Sequence, residues 1–202
     1  MGKSFTPFPV LKTERLTLRQ LRSSDDKEIF ALRSNGNVNK YLDRKPSKSI
    51  EDARYFIQTI NENNQRNDSI YWAITLDGTD RLIGTICLFD FSEDHSKVEI
   101  GYELLPDFQG KGIMQEATSE VIQFGFQQVG LNSIVANTHS ENQRSTNVLE
   151  KLNFKREFNA VFIEFPGKIK KGTVEEFTVF YDGHPTIAKN APWDGGFVFS
   201  KD

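Results

Sequence analysis

A glycine-rich turn that leads directly into a helix is the feature of this sequence best suited to bind a ligand. The segment Gln109-Gly110-Lys111-Gly112 follows a predicted strand and precedes a helix predicted from Ile113. Glycines let the backbone approach a ligand closely and adopt positive φ angles. The first amides of a helix have no intrahelical acceptor, and the helix dipole favours an anion beside them. The turn therefore predicts a site for a phosphate or pyrophosphate group, with Lys111 adding positive charge.

Two common phosphate-binding motifs do not fit this turn. A P-loop requires Gly-x-x-x-x-Gly-Lys-Ser/Thr, which the chain lacks. A dinucleotide fingerprint requires a third glycine where Gln115 stands, and it opens a parallel strand–helix–strand unit. A strand–turn–helix of another kind that holds a pyrophosphate by its amides is a third interpretation. The two glycines alone do not distinguish it from a tight strand–helix connection.

Hydrophobic periodicity predicts the elements that must position this turn. Helices are predicted from Ser23 to Ser34, from Ser49 onward, from Ile113 to Gly130 and from Asn142 to Leu152. Strands are predicted at Glu14–Leu21, Ile70–Leu76, Leu82–Phe91, Lys97–Leu105, Ser133–Thr138, Lys155–Glu164 and Thr173–Tyr181. Asp77-Gly78 predicts a hairpin turn. Mostly antiparallel strands followed by strand–helix alternation indicate one mixed α/β domain.

Composition excludes several classes of protein. The 202 residues are 37% hydrophobic and 26% charged with a net charge of −3, so we expect a globular protein without a nucleic-acid partner. No apolar run approaches the roughly 20 residues of a membrane helix, and the N-terminus does not resemble a signal peptide. Cys87, the single cysteine, excludes an internal disulfide and a multi-cysteine metal site. We therefore expect a cytoplasmic protein with no metal, and we expect Cys87 to be buried in a strand.

Several motifs in order resemble the GNAT superfamily of acetyltransferases. The segment from Gln109 to Ala117 resembles the coenzyme A turn of that family, and Asn142-Gln143-Arg144-Ser145 with the helix that follows resembles its second signature. The family's usual glycine before the final phenylalanine is Asn153 here, which tolerates the left-handed conformation. Leu11–Arg19 and Glu99-Ile100-Gly101-Tyr102 resemble the Rim-type branch, the ribosomal-protein N-terminal acetyltransferases. The resemblance runs from about residue 11 to residue 181.

The resemblance implies a fold and a cofactor. It implies an α/β domain over residues 1–182 with a twisted, mostly antiparallel sheet, splayed between its fourth and fifth strands, and helices on both faces. The pantetheine arm of acetyl-CoA would lie in the gap between those strands. The implied cofactor-binding residues are Leu104, Leu105, Gln109, Gly110, Lys111, Gly112, Ile113, Met114, Asn142 and Ser145.

The resemblance also implies catalytic roles. Leu149 occupies the position of the tyrosine that protonates the leaving thiolate in many family members. In the Rim-type branch the serine of the second signature takes that role, which falls on Ser145, and a glutamate in the following strand is the base, which falls on Glu164. Glu103 and Glu99 on the cofactor strand are rival bases. A backbone N–H near Leu105 would stabilise the oxyanion.

The acceptor follows from amine chemistry. A peptide α-amine has a pKa of about 8 and a lysine side chain one of about 10.4, so an α-amine needs only a modest base. We expect direct transfer in a ternary complex, with a protein N-terminus as acceptor. The alternatives are a small amine, such as a polyamine, an amino acid or an aminoglycoside, and a non-catalytic coenzyme A-binding module. The lysines at 168, 170 and 171 are typical of a solvated loop, and the alternative is that they steer an acidic acceptor. Residues 183–202, with Trp193, Phe197 and Phe199, are expected to pack on the domain or on a partner subunit, and a homodimer is compatible with the sequence.

Overall fold

The computed structural model describes residues 4–94, 96–157 and 160–163. The strands are β1 (Leu11–Lys12), β2 (Leu16–Gln20), β3 (Ile70–Leu76), β4 (Leu82–Phe89), β5 (Lys97–Leu104), β6 (Ser133–Asn137), β7 (Phe154–Glu157) and β8 (Ala160–Ile163). The helices are α1 (Asp26–Ser34), α2 (Gly36–Asn39), α3 (Ile50–Arg66), α4 (Ile113–Phe124) and α5 (Gln143–Lys151). Short 3-10 turns cover Ser23–Asp25 and Pro106–Phe108, and a π turn covers Gly125–Val129.

The strands form one eight-stranded sheet in the order β1-β2-β3-β4-β5-β6-β8-β7. Every neighbouring pair is antiparallel except β5 and β6, which are parallel. That parallel pairing joins only Lys97, Val98 and Glu99 to Ser133, Ile134 and Val135. The rest of β5 is unpaired with β6 and diverges from it. Because β5 and β6 are the fourth and fifth of the strands predicted from the sequence, the predicted splay between those two strands is confirmed.

Helices cover both faces of the sheet. Helices α1 and α3 pack on one face, where Ile29, Ala53 and Ile57 meet Ala73 of β3. Helix α4 packs on the other face, where Ala117, Val121 and Phe124 join the larger core. The side chains of β5 point alternately to these two faces of the sheet. Val98 and Ile100 face the larger core, whereas Glu99, Gly101 and Glu103 share the side of α1 and α3.

Local chemistry explains where several elements begin and end. Ser49 caps α3 through a capping box with Asp52, as its position in the sequence predicts. Asn67 ends that helix in the left-handed conformation at φ 61°. Asn153 adopts the same conformation at φ 63°, so it serves where the family usually has glycine. Gly78 takes φ 75° in the predicted hairpin between β3 and β4.

Helix α1 ends at Ser34, as predicted, and Asn35 leaves the helical conformation. The Asn35 side chain accepts from the amides of Asn37 and Val38 and starts the short helix α2, which the periodicity did not predict. One prediction of local structure is wrong. The predicted strand Lys155–Glu164 is two strands, β7 and β8, which pair with each other, and β8 also pairs with β6. The predicted strand Thr173–Tyr181, the boundary at residue 182, the extension 183–202 and Glu164 lie outside the described residues.

Candidate active site

Along the gap between β5 and β6, the backbone of β5 beyond Glu99 has no partner strand on its β6 side within the described residues. The N–H of Leu105 donates to the carbonyl of Ile83 at 2.9 Å, so it is already used within the sheet. Because successive residues of a strand direct their backbone groups to alternate sides, Tyr102 and Leu104 present theirs to the gap. The expected oxyanion donor near Leu105 is therefore not the amide of Leu105 itself. The gap offers the amides of Tyr102 and Leu104 instead.

The glycine turn stands at the open end of this gap. Gly110 and Gly112 have φ angles of 74° and 76°. The hydrogen bonds of α4 begin with the Glu116 amide, which donates to the Gly112 carbonyl at 3.0 Å. The amides of Ile113 and Met114 therefore have no acceptor within the helix. A side chain added at Gly110 would meet no atom within 4 Å, so the turn presents an open cradle. These features fit the pyrophosphate of coenzyme A.

An N-terminal clamp, formed by Thr13, Arg15 and Glu116, fixes the turn to the sheet. The Arg15 guanidinium lies 2.6 Å from the Glu116 carboxylate and donates to the carbonyl of Lys111 at 3.2 Å. The Thr13 hydroxyl and the Arg15 amide donate to Glu116 at 2.5 and 3.0 Å. Burial alone would raise the pKa of Glu116, but these hydrogen bonds outweigh it and lower that pKa. The clamp thus neutralises an acidic side chain beside the anion site.

Gln109 bridges the two sides of the gap. Its side-chain amide donates to the Leu104 carbonyl at 2.8 Å, and its side-chain carbonyl accepts from the Arg144 guanidinium at the start of α5. The Gln109 side-chain amide thereby satisfies the Leu104 carbonyl, which a neighbouring strand would do in a closed part of the sheet. Arg144 is exposed and adds a second cation, besides Lys111, near the turn.

The second signature is built around the first turn of α5. The side chain of Asn142 caps the helix by accepting from the Ser145 amide at 3.3 Å. The Ser145 hydroxyl lies 2.9 Å from the hydroxyl of Tyr102, which is on the gap-facing strand β5. Leu149 is fully buried in the core, so it offers nothing to a thiolate. Tyr102 was not predicted as a site residue from the sequence, although its place in the Glu99–Tyr102 motif is the signal that could have identified it.

Glu103 is held in an ion pair on the opposite side of β5. Both of its oxygens accept from the Arg44 guanidinium, at 3.0 and 2.5 Å. The hydroxyls of Tyr71 and Thr85 lie 3.4 Å from one of those oxygens. Glu103 is buried, and both of its oxygens are engaged by Arg44. Nothing in the sequence pattern indicated Arg44 as its partner.

Glu99 lies where β5 and β6 begin to diverge. It accepts from the side-chain amide of Asn137 at 2.8 Å. Burial raises the pKa of Glu99, partly offset by that hydrogen bond. On the same side of the sheet Cys87 is buried, as predicted, and its thiol donates to the Gly101 carbonyl at 3.5 Å. Burial also raises the pKa of that thiol, which makes it a poor nucleophile.

The segment 40–49 between α2 and α3, here called the acceptor loop, contacts both walls of the gap. Arg44 reaches Glu103 on the β5 side, and the Tyr41 ring stacks on His139 beyond β6 with centroids 5.3 Å apart. Arg33, at the end of α1, places its guanidinium 3.8 Å above the Phe56 ring. Within the described part of the chain, the buried Nε atom of Arg33 has no hydrogen-bond partner.

Two negative findings apply to the described residues only. Among them no cluster of histidine, cysteine and acidic side chains could hold a metal ion. None of the helices in residues 4–94, 96–157 and 160–163 has both the length and the apolar character needed to cross a membrane.

Comparison with known proteins places this site in a family. The Acetyltransferase (GNAT) domain matches residues 15–155. The N-acetyltransferase YoaA of Bacillus subtilis (strain 168) is 38% identical over 150 residues, covering 74% of this chain and 85% of YoaA. The spermidine N(1)-acetyltransferase of Vibrio cholerae serotype O1 is 25% identical over 148 residues, covering 73% and 83% of the two chains.

Solved structures share the architecture. RimL, the ribosomal L7/L12 alpha-N-protein acetyltransferase in complex with coenzyme A, superposes with a TM-score of 0.66 over 76% of this chain and 95% of its own. At 19% identity this likeness concerns the fold alone. Together with the splayed sheet and the glycine turn, these matches establish that the chain belongs to the GNAT acetyltransferase family and is an N-acetyltransferase that uses acetyl-CoA.

Proposed function

We propose that this enzyme acetylates the N-terminal α-amine of a protein by direct transfer in a ternary complex. The acetyl-CoA pyrophosphate binds the amides from Gly110 to Met114, with Lys111 and Arg144 supplying positive charge. The pantetheine arm follows the β5 edge, where it displaces the Gln109 side chain from the Leu104 carbonyl, and Asn142 lies beside it. Leu105 contributes packing to this channel.

The transfer needs three groups around the thioester. A carboxylate removes a proton from the amine, directly or through water, before the amine attacks the carbonyl carbon. The amide of Tyr102 or Leu104 donates to the oxyanion that develops there. The carbon–sulfur bond then breaks, and the Ser145 hydroxyl donates a hydrogen bond to the departing thiolate. The acetyl group passes directly to nitrogen, so no covalent intermediate forms on the enzyme.

We assign the base to Glu164, as the Rim-type resemblance implies. Glu99 is the described carboxylate best suited to replace it, because burial raises its pKa and its contact with Asn137 at the gap is to a neutral amide. Glu103, the other sequence candidate, serves better as an anchor for the acceptor loop, because Arg44 engages both of its oxygens.

The charge of the acceptor loop is the observation that favours an α-amine over a polyamine. The loop carries Lys40, Arg44, Lys45 and Lys48 against a single acid, Asp43. Arg44 is paired with Glu103, but Lys40 and Lys45 are exposed, and Arg33 adds a further cation below the loop. A polyamine carries several positive charges, so the positively charged acceptor loop repels it. A peptide α-amine carries at most one, and with a pKa of about 8 it is partly neutral near pH 7.

A small-amine acceptor is the second candidate, since the Vibrio cholerae relative is named a spermidine acetyltransferase. The deciding assay measures coenzyme A thiol release from acetyl-CoA with peptides bearing N-terminal Ala, Ser or Met, and with spermidine, free amino acids and an aminoglycoside. N-terminally blocked copies of the same peptides are the controls. Turnover on free peptides alone supports the proposal, whereas turnover on spermidine alone overturns it. Binding of acetyl-CoA without turnover on any acceptor would favour the non-catalytic module.

The variant Lys40→Glu/Lys45→Glu tests the charge argument separately. It should raise KM for peptides with acidic second and third residues by about tenfold and lower KM for spermidine. Lys12→Glu, an exposed charge change in β1 at the far edge of the sheet, is the matched control. Equal KM values in all three proteins would show that the loop charge does not select the acceptor.

A further inference from the structure

Two hydroxyl groups face each other where β5 meets α5. The hydroxyl of Tyr102 lies 2.9 Å from the Ser145 hydroxyl and 3.5 Å from the Ser145 backbone carbonyl. Tyr102 and Ser145 are both half-buried, and the backbone of Tyr102 faces the gap that receives the pantetheine arm. The site therefore contains a pair of hydroxyls, whereas the fully buried Leu149 provides none.

The pair has one preferred direction of hydrogen bonding. Among the described residues, the Tyr102 hydroxyl also contacts the Ser145 carbonyl, but at 3.5 Å this second contact is weak. A phenol is more acidic than an aliphatic alcohol, so the 2.9 Å contact is stronger with Tyr102 as the donor and Ser145 as the acceptor. A serine hydroxyl has a single proton, so once its oxygen accepts from Tyr102 that proton is free to point elsewhere.

We infer that Tyr102 is a positioning residue, whose hydroxyl donates to Ser145 and thereby directs the Ser145 proton to the sulfur of coenzyme A. This inference rests on the role proposed for Ser145. No net proton transfer from Tyr102 is required, because a hydrogen bond from Ser145 already stabilises the thiolate that leaves when the carbon–sulfur bond breaks. The thiolate takes its proton from solvent after release.

The environment keeps Tyr102 in the donating state. Burial raises the pKa of Tyr102 to about 12, although the hydrogen bond with Ser145 acts in the opposite direction. The phenol therefore stays protonated throughout the range in which a simple thiol, with a pKa of about 8.5, ionises.

The test uses the binary complex with coenzyme A, which requires no acceptor. The ultraviolet absorbance of the thiolate is titrated for coenzyme A bound to the wild-type enzyme, Tyr102→Phe, Ser145→Ala and the double variant. Each single variant should raise the pKa of the bound thiol by about one unit, because the thiolate loses the stabilisation of about one hydrogen bond. The double variant should match Ser145→Ala, because Tyr102 acts through Ser145. Tyr55→Phe, at an exposed tyrosine on α3, is the control.

Steady-state kinetics provide a second readout. Tyr102→Phe keeps the ring, so KM for acetyl-CoA should change less than about twofold while kcat falls about tenfold. A thiol titration of Tyr102→Phe identical to wild type, with Ser145→Ala shifted, would overturn the role of Tyr102 alone. If neither single variant shifts the titration, the role of Ser145 fails as well. Additive shifts in the double variant would show two independent groups and also contradict the inference. Ser145→Thr retains a hydroxyl and should preserve the effect of Tyr102→Phe.

Discussion

Arg15 and Glu116 are 101 positions apart in sequence, yet the Arg15 guanidinium lies 2.6 Å from the Glu116 carboxylate. The contact joins the segment between β1 and β2 to the first turn of α4, and Arg15 also donates to the Lys111 carbonyl within the glycine turn. The position of the anion site therefore depends on the N-terminal strands β1 and β2, which β3 and β4 separate from β5 in the sheet.

The first prediction concerns the pH dependence of this clamp. The pKa of Glu116 is lowered in the folded state, since hydrogen bonds from Thr13 and Arg15 outweigh the effect of burial. A lowered carboxyl pKa gives stability that is fully present above the unfolded pKa of about 4.3 and is lost as pH falls through the folded value. Glu116→Gln should therefore reduce Tm at neutral pH and flatten its decrease between about pH 5 and pH 3.

The expected effect is modest, because Arg15 is half-exposed, and we place it at about 1 kcal/mol or less. Glu120→Gln, one turn further along α4, is the control and should keep the wild-type slope. A Glu116→Gln variant whose Tm follows the wild-type curve at every pH would show that the clamp does not stabilise the fold.

The second prediction separates backbone strain from ligand binding. Gly112→Ala places a side chain at φ 76°, where an L-residue costs about 1–2 kcal/mol, and 3.5 Å from the Arg15 guanidinium. Gly78→Ala imposes the same strain at φ 75° in the β3–β4 hairpin, away from the site. Both variants should lose similar stability in denaturant unfolding. Only Gly112→Ala should weaken acetyl-CoA binding in calorimetry, and equal Kd values for the two variants would argue against the amide cradle.

Much of this architecture could be predicted from the sequence because it depends on local signals. The strand Ile70–Leu76, the cap at Ser49 and the helix starting at Ile113 all follow from periodicity, turn residues and capping chemistry. The hairpin of β7 and β8 was missed because no glycine or proline interrupts the segment Lys155–Glu164.

The site itself was only partly predictable, for a different reason. The glycine turn and the Asn142–Ser145 motif are contiguous in sequence. The pairing of Tyr102 with Ser145 spans 43 positions, and that of Arg44 with Glu103 spans 59. Such contacts depend on how the sheet brings distant segments together, and an isolated sequence carries no local signal for them.

The third prediction tests the assignment of the base. Glu164→Gln should reduce kcat at least about tenfold, as expected for a general base, while acetyl-CoA binds as in wild type. Glu99→Gln should retain most of the activity. If Glu99 were the base instead, the rate would fall with acid at a pH above the ordinary carboxyl range, because burial raises the pKa of Glu99. Complete pH–rate profiles of the two variants distinguish these assignments.

The fourth prediction concerns the anchor of the acceptor loop. Arg44→Met removes the partner of a buried carboxylate and leaves Glu103 with only the two 3.4 Å contacts from Tyr71 and Thr85. Removing one member of a largely buried pair costs about 3 kcal/mol, mainly because the remaining charge is unpaired. Arg44→Met should therefore be the most destabilised variant of this set, and its KM for a peptide acceptor should rise.

The double variant Arg44→Met/Glu103→Gln separates the anchor from catalysis. Neutralising Glu103 removes the unpaired charge, so the double variant should regain a large part of the stability that Arg44→Met loses, as measured by denaturant unfolding. Because the acceptor loop remains without its tie to β5, KM for the peptide should stay high although the fold has recovered. If Glu103 were the base, Glu103→Gln alone would abolish turnover without changing KM. If it is an anchor, Glu103→Gln should raise KM for the peptide and retain most of kcat, since Ser145 and the amides of Tyr102 and Leu104 are unchanged.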